Sequence, residues 1–311
     1  MKLVSIKKHT KRYLNLLNRV SVSLFPFIKR NSKPLKFAPL KNEEITTLKR
    51  WGVDYYFKYR IENLKFIHIG KCGGTTIKKR FMTAGIRLSH YHRQKPIANP
   101  NFGYFVWIRN PFTRFVSAFN HTHSIVNFDI NNCDPENLTL ENCPAPALVL
   151  RRLETGLIFE KSFEDLISSF NSANELAESL SSSNRKIREK AHQLMNHEEQ
   201  HLNKSIGWYL DNGRFVEQNK KQIIFVGRLE HMRNDFEILM NRLELNDYFK
   251  NSITQKTRIG EMSYSTELSE TAINNIRKFY SETDFKTLDI LHKNGFINKE
   301  TYDRYQIYKA S

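Results

Sequence analysis

Three short apolar runs, each followed by a turn and then by helix-spaced apolar residues, set the frame of this 311-residue chain. Lys65-Phe66-Ile67-His68-Ile69 reads as a strand. Gly70-Lys71-Cys72-Gly73-Gly74-Thr75-Thr76 reads as a tight turn entering a helix, and Ile77 and Phe81, four apart, give that helix an apolar face. Tyr104-Phe105-Val106-Trp107-Ile108 is continuously apolar, as expected of a strand buried on both faces. Arg109-Asn110-Pro111 closes it: Asn110 suits an N-cap and Pro111 the first helical position. Phe112, Phe115, Val116 and Phe119 then keep helical spacing. Gln222-Ile223-Ile224-Phe225-Val226-Gly227 predicts a third strand, and Met232, Phe236, Leu239, Met240 and Leu243 the buried stripe of the helix after it.

Between the second and third strands, about 123–220, the pattern is mostly helical. Asn131 to Pro146 is polar and proline-rich, a surface loop. Ala147 to Glu154 predicts a short helix stopped by Gly156. Phe163, Leu166, Ile167 and Phe170 mark another helix. Ile187, Ala191, Leu194 and Met195 mark a further one after a polar break at Ser179 to Asn184. Leu268, Ala272, Ile273, Ile276 and Phe279 predict the last helix. Strands alternating with helices predict an α/β fold with a central parallel sheet flanked by helices. The expected organisation is a basic arm over 1–58 and one domain over 59–311, in which 123–220 forms a helical, acceptor-side region.

Charge narrows the partners. Forty-nine Lys and Arg against 32 Asp and Glu give a formal net charge of +17, which favours polyanionic company: a nucleotide, an acidic glycan, nucleic acid or an anionic membrane surface. In the arm, Lys7, Lys8, Lys11, Arg12 and Arg19 precede Val20 to Ile28, an apolar run too short to span a bilayer. No cleavage site follows it, and peripheral membrane association through an interfacial helix is the alternative to an arm packed on the domain. The expected location is cytoplasmic, at most peripheral at the inner membrane face. Three cysteines, Cys72, Cys133 and Cys143, do not make a disulfide framework, although the last two are close enough in sequence to pair. His197-Glu198-Glu199-Gln200-His201 has the outward form of a zincin helix but lacks an evident third ligand, so no metal is expected.

The first turn carries the chemistry of an anion site. Gly73 and Gly74 allow close backbone approach, Thr75 and Thr76 bring hydroxyls to a helix N-terminus, and Lys71 supplies a mobile positive charge. In a Walker A loop the lysine follows the last glycine; here Lys71 precedes the glycine pair, so an ordinary NTP loop is a poor match. Arg109, at the carboxyl end of the second strand, is a second phosphate-binding candidate with a planar fork suited to it.

Phe66-Ile67-His68-Ile69-Gly70-Lys71-Cys72-Gly73-Gly74-Thr75-Thr76 resembles the 5′-phosphosulfate loop of sulfotransferases that use 3′-phosphoadenosine 5′-phosphosulfate (PAPS) on carbohydrates, written F-I-H-I-P-K-T-G-G-T-S. Gly70 stands where that loop has proline and Cys72 where it has threonine. Phe105-Val106-Trp107-Ile108-Arg109-Asn110-Pro111-Phe112-Thr113-Arg114-Phe115-Val116-Ser117-Ala118-Phe119 is similar to the same family's 3′-phosphate motif, V-R-[ND]-P-x-x-R-x-x-S-x-[YF]. The 225–236 strand–helix unit resembles a later unit of the family. The likeness is to sulfotransferase family 2, the heparan sulfate 2-O-sulfotransferase type.

That resemblance implies a P-loop-like fold and PAPS as cosubstrate. It assigns the phosphosulfate to Lys71, Cys72, Gly73, Gly74, Thr75 and Thr76, and the 3′-phosphate to Arg109 and Ser117, with Arg114 in support and Arg258 closing from a late polar loop. It implies a hydroxyl of a carbohydrate acceptor and no nucleic-acid partner. Related enzymes carry an H-x-H between the two motifs, so His90-Tyr91-His92 implies His92 as the base and His90 as second choice. His197, His201 and Glu198 stay open as bases. Two other classes stay open as well: a kinase-like P-loop enzyme, and a basic protein binding nucleic acid or a membrane surface.

Overall fold

A computed structural model of the chain describes residues 37–39, 47–50, 53–56, 59–129, 134, 138, 143, 145–156, 158–198, 201–249 and 265–308. Residues 1–36, Cys133 and the loop carrying Arg258 lie outside the described residues, so the arm's apolar run, the Cys133–Cys143 pairing and the closing loop do too. Seven strands are described: β1 Phe37–Pro39, β2 Thr47–Arg50, β3 Val53–Tyr56, β4 Tyr59–Ile67, β5 Ile86–Tyr91, β6 Gly103–Ile108 and β7 Ile223–Arg228. Four of them, in the order β5-β4-β6-β7, form a parallel sheet. With helices packed around it, this is an α/β fold.

The register explains why the strand ends meet. Ile67 pairs with Val106 and Ile108 with Arg228, so β4, β6 and β7 run out at nearly the same level. The chain leaves β4 through helix α1 (Gly74–Thr83) to β5 on one side, then returns to β6 on the other. Connections departing in opposite directions open a crevice between β4 and β6 at their carboxyl ends, where open α/β sheets bind ligands. β1 pairs antiparallel with the start of β4, Phe37 opposite Ile61, so pairing crosses the expected boundary at 58/59. β2 and β3 form a separate hairpin.

The apolar runs behave as their patterns demand. Leu64, Phe66, Phe105, Trp107 and Ile108 are fully buried, and α1 buries Ile77 and Phe81 against them. Helix α2 (Pro111–Val126) begins under the Asn110 cap, whose side chain accepts from Phe112 N at 3.0 Å, and it buries Phe112, Phe115, Val116 and Phe119. Gly227 lies beneath the Trp107 indole; a Cβ there would come within 2.3 Å of the ring. The middle region contributes α3 (Pro146–Thr155), α4 (Lys161–Ile167), α5 (Ala173–Ser179), α6 (Arg185–Asn196), α7 (Ile206–Tyr209) and α8 (Arg214–Gln218). Helix α9 (Met232–Arg242) follows β7, with α10 (Asn246–Phe249) after it. No helix among the described residues is long and apolar enough to cross a membrane.

β5 is a strand that the sequence pattern did not show, because only Ile86 of it is buried. Ile187, helix-spaced with Ala191, Leu194 and Met195, is 42% exposed, and α6 covers the core with the other three. The chain also does not end its helices at Phe279. After α11 (Glu270–Phe279) comes a π-turn at Ser281–Phe285, then α12 (Lys286–Lys293) and α13 (Lys299–Tyr305). Asp284 and Thr287 occupy core-facing positions of that segment and break its apolar stripe.

Candidate functional site

The turn after β4 departs from ordinary backbone at Lys71, whose φ of 68° places a non-glycine residue in the left-handed region. Gly73 follows at φ 80° and serves as the N-cap of α1. A Cβ at Gly73 would also strike Met232 and Leu229, so the turn is pressed against the start of α9. The N-terminus of α1 has no side-chain cap and no acidic residue in its first turn. Its N–H groups and dipole therefore suit an anion. Thr75 and Thr76 stand half-buried in that first turn. Cys72 does not join them: its side chain is buried in the core, burial pushes the thiol up to about 12, and its N–H donates to Ile69 O at 3.4 Å. As a ligand contact, Cys72 is corrected to a packing residue.

Arg109 leaves the end of β6 beside this turn. Its Nη1 donates to the Lys71 carbonyl at 3.4 Å and its Nε to Thr113 Oγ1 at 3.0 Å. Lys71 and Arg109, 38 residues apart in sequence, thus lie side by side at the carboxyl ends of β4 and β6. Burial draws the guanidinium below its ordinary value, while Cys72 and Glu230 act in the opposite sense. Asn110 is wired to distant chain: its N–H donates to Glu230 Oε1 at 2.9 Å, and its Nδ2 to the carbonyls of Arg304 and Ile307. Tyr305 donates its hydroxyl to the other Glu230 oxygen. Ser117 is half-buried one helical turn beyond Thr113, on the same face of α2. Arg114 is fully buried, donating to the His201 carbonyl at 2.7 Å and lying 3.5 Å from Asp284.

On the other side of the Lys71 turn lies a cluster of imidazoles. His90 lies near the end of β5 and His92 just past it, His68 follows the end of β4, and His201 lies in the segment after α6. His92 Nδ1 is 3.2 Å from the His68 carbonyl, and its ring stacks on the His68 ring at 4.2 Å. A carbonyl only accepts, so this bond places the proton on Nδ1 and makes Nε2 the acceptor nitrogen of His92. His90 Nε2 lies 3.0 Å from Lys78 Nζ. An ammonium only donates, so the His90 lone pair is engaged by Lys78.

His197 and His201 part company. α6 ends at Asn196, His197 is its extended C-cap and packs on Phe163, and His201 turns inward to His92 at 5.8 Å. The zincin-like register is therefore not formed. Among the described residues no group of three or more His, Cys, Asp or Glu has metal-holding geometry. Nothing in the local pattern signals that His68 and His201 converge on His92, or that Glu230 holds the Asn110 N–H and Asp284 the buried Arg114; those contacts span tens to more than a hundred residues.

Burial holds His68 and His201 well below the ordinary imidazole value of 6.5; neighbouring His92 lowers His68 further, and Lys71 and His92 lower His201. The unfolded chain therefore binds protons at these positions where the folded one does not. Their contribution to stability is whole above pH about 6.5 and is lost as pH falls from there towards the folded-state values. Each contributes up to about 1.4 kcal/mol per pH unit in that window. Urea unfolding from pH 7.5 to 5 should show the loss, and His201→Phe should flatten it; an unchanged slope in that variant contradicts the assignment.

The chain matches no protein-family model, and no curated protein or solved structure is significantly similar to it.

Proposed function

We propose that this protein is a PAPS-dependent sulfotransferase that transfers a sulfuryl group to a hydroxyl of a carbohydrate, on a P-loop-like α/β scaffold. One observation carries the reading: Arg109 donates to the Lys71 carbonyl, so a lysine-bearing anion turn and an arginine helix entrance sit at neighbouring ends of parallel strands. A nucleotide charged at both ends needs two such grips. The order Lys71 before Gly73 and Gly74 disfavours a Walker-type kinase, and two phosphate candidates in one crevice are more than a diffuse basic surface requires.

In this reading PAPS supplies an activated sulfuryl group. The acceptor oxygen bonds to sulfur as the bond from sulfur to the 5′-phosphate oxygen breaks, and that oxygen leaves with the electron pair. His92 Nε2 takes the hydroxyl proton. Lys71, the α1 N-terminus, Thr75 and Thr76 meet charge growing on the leaving phosphate, while Arg109 and Ser117 hold the 3′-phosphate. Placement in the cytoplasm, with the basic arm resting on an anionic membrane face, belongs to the same proposal.

Thermal shift tests it. The product nucleotide PAP should raise Tm where ATP and RNA do not, and labelled PAPS with a glycan panel should yield a labelled acceptor. Removing one charged hydrogen-bonding partner costs about 1.5–3 kcal/mol, so Arg109→Ala should weaken PAP about 10- to 100-fold with little change in the Tm of the free protein. Equal shifts by ATP and PAP would refute the reading.

A further inference from the structure

We infer that His68 and His201 are positioning residues for the base His92, admitted to the site by the missing side chains of Gly74 and Gly70. The inference rests on the sulfotransferase reading, which makes His92 the base. Each glycine lies in the Lys71 turn, and each is matched to one histidine. A Cβ on Gly74 would come within 1.8 Å of the His68 ring, and a Cβ on Gly70 within 2.1 Å of His201 Nδ1. Neither glycine has a left-handed φ, so backbone conformation does not call for it. Close approach of a ring does.

Both admitted rings converge on His92. His68 stacks against it at 4.2 Å with an interplanar angle of 22°, and its own carbonyl orders the His92 tautomer. His201 approaches at 5.8 Å and 45°. The two are anchored from behind: His68 N donates to Tyr91 O at 2.9 Å, and the His201 carbonyl accepts from buried Arg114. Each ring is buried with an Nδ1 that has no hydrogen-bond partner among the described residues. That is costly for a polar atom, and it is what a ring kept for its neutral face would show.

The surroundings explain why those faces stay neutral. His68 faces His92, Lys78, His90 and His201; His201 faces Lys71, His92, Arg93 and Arg114. Adding a proton to either ring would place a cation among these groups in a desolvated pocket. When His92 becomes an imidazolium during transfer, its positive ring meets two uncharged aromatic faces instead of two competing cations. The phosphosulfate turn and the base are thereby built as one piece: the residues that shape the first also leave room for the supports of the second.

Leucine and phenylalanine variants separate positioning from bulk. In steady-state assays with PAPS, His68→Leu and His201→Leu should lower kcat about 10- to 100-fold, the cost of misplacing a reacting group by about 1 Å, and should move the acid limb of kcat/KM. PAP affinity should stay within about twofold, since the change is confined to the chemical step. His68→Phe and His201→Phe keep a neutral ring and should recover most of kcat. Ring-nitrogen NMR of His92 gives a readout free of turnover: the wild type should show the Nδ1–H tautomer, and the leucine variants a mixture. Should a leucine variant fail to fold, Gly74→Ala and Gly70→Ala press on the same rings, and His92 should then show the tautomer mixture by ring-nitrogen NMR; a pure Nδ1–H tautomer in both overturns the inference. Leucine variants with wild-type kcat, acid limb and tautomer overturn the inference, as do phenylalanine variants impaired as much as the leucine ones. A wild-type protein that binds PAP alongside unimpaired leucine variants refutes this inference alone; a wild type that does not bind PAP removes the sulfotransferase reading and this inference together.

Discussion

His92→Ala should reduce kcat for sulfuryl transfer by about 10²- to 10⁴-fold, the usual range for losing a positioned general base, while PAP binding is kept. His90→Ala should cost far less. The difference follows from two hydrogen bonds. The His68 carbonyl holds the His92 proton on Nδ1 and directs the basic nitrogen, Nε2, to the task. Lys78 occupies the corresponding lone pair of His90. Comparing both alanine variants at saturating PAPS decides between them. A larger loss at His90 would show that Lys78 rather than the carbonyl prepares the base. The acid limb of the wild-type profile should vanish in His92→Ala and persist in His90→Ala.

Asp284→Ala should destabilise the fold by about 3–5 kcal/mol, because it leaves the Arg114 cation buried without its carboxylate. Both side chains are fully buried, with 3.5 Å between Nε and Oδ2. Asp284 Oδ1 also accepts from Gly207 N at 2.8 Å, and a Cβ on Gly207 would press the backbone of Thr283, so the π-turn and α7 are locked together there. Tyr280 completes the group, donating to the Leu202 carbonyl at 2.7 Å. Urea unfolding measures the loss. Arg114→Met combined with Asp284→Leu should be far less destabilising than the sum of the single changes, because neither charge is then stranded. Additive losses would mean that the pair is held by packing alone. Even when stable, the double variant should turn over slowly, since the Arg114 bond to the His201 carbonyl is gone.

Local pattern and tertiary contact divided the work unevenly. Ile67, Phe105 and Phe225 announced their strands because a strand buried on both faces has to be apolar along its length. Asn110-Pro111 announced a helix start because an N-cap and a fixed φ are properties of neighbouring residues. The turn and helix start at Gly70 to Thr76 were legible for the same reason. β5 was not, since its burial depends on β4 lying beside it. α12 was hidden by Asp284 and Thr287, polar residues held in the core by the Gly207 N–H, the charge of Arg114 and the Thr283 carbonyl.

By itself the amino-acid sequence determined the α/β alternation and the strand–turn–helix units that carry Lys71 and Arg109; the resemblance added the expectation of phosphate binding there and of a base in the H-x-H pair. Only the tertiary structure decided that Arg109 touches the Lys71 turn, that His92 Nδ1 faces the His68 carbonyl while His90 Nε2 faces Lys78, and that Gly70 and Gly74 each make room for a histidine. The physical reason is range. Strand burial, capping and turn geometry are set within a few residues, whereas a tautomer, a buried ion pair or a steric vacancy depends on atoms that meet only after the chain has folded.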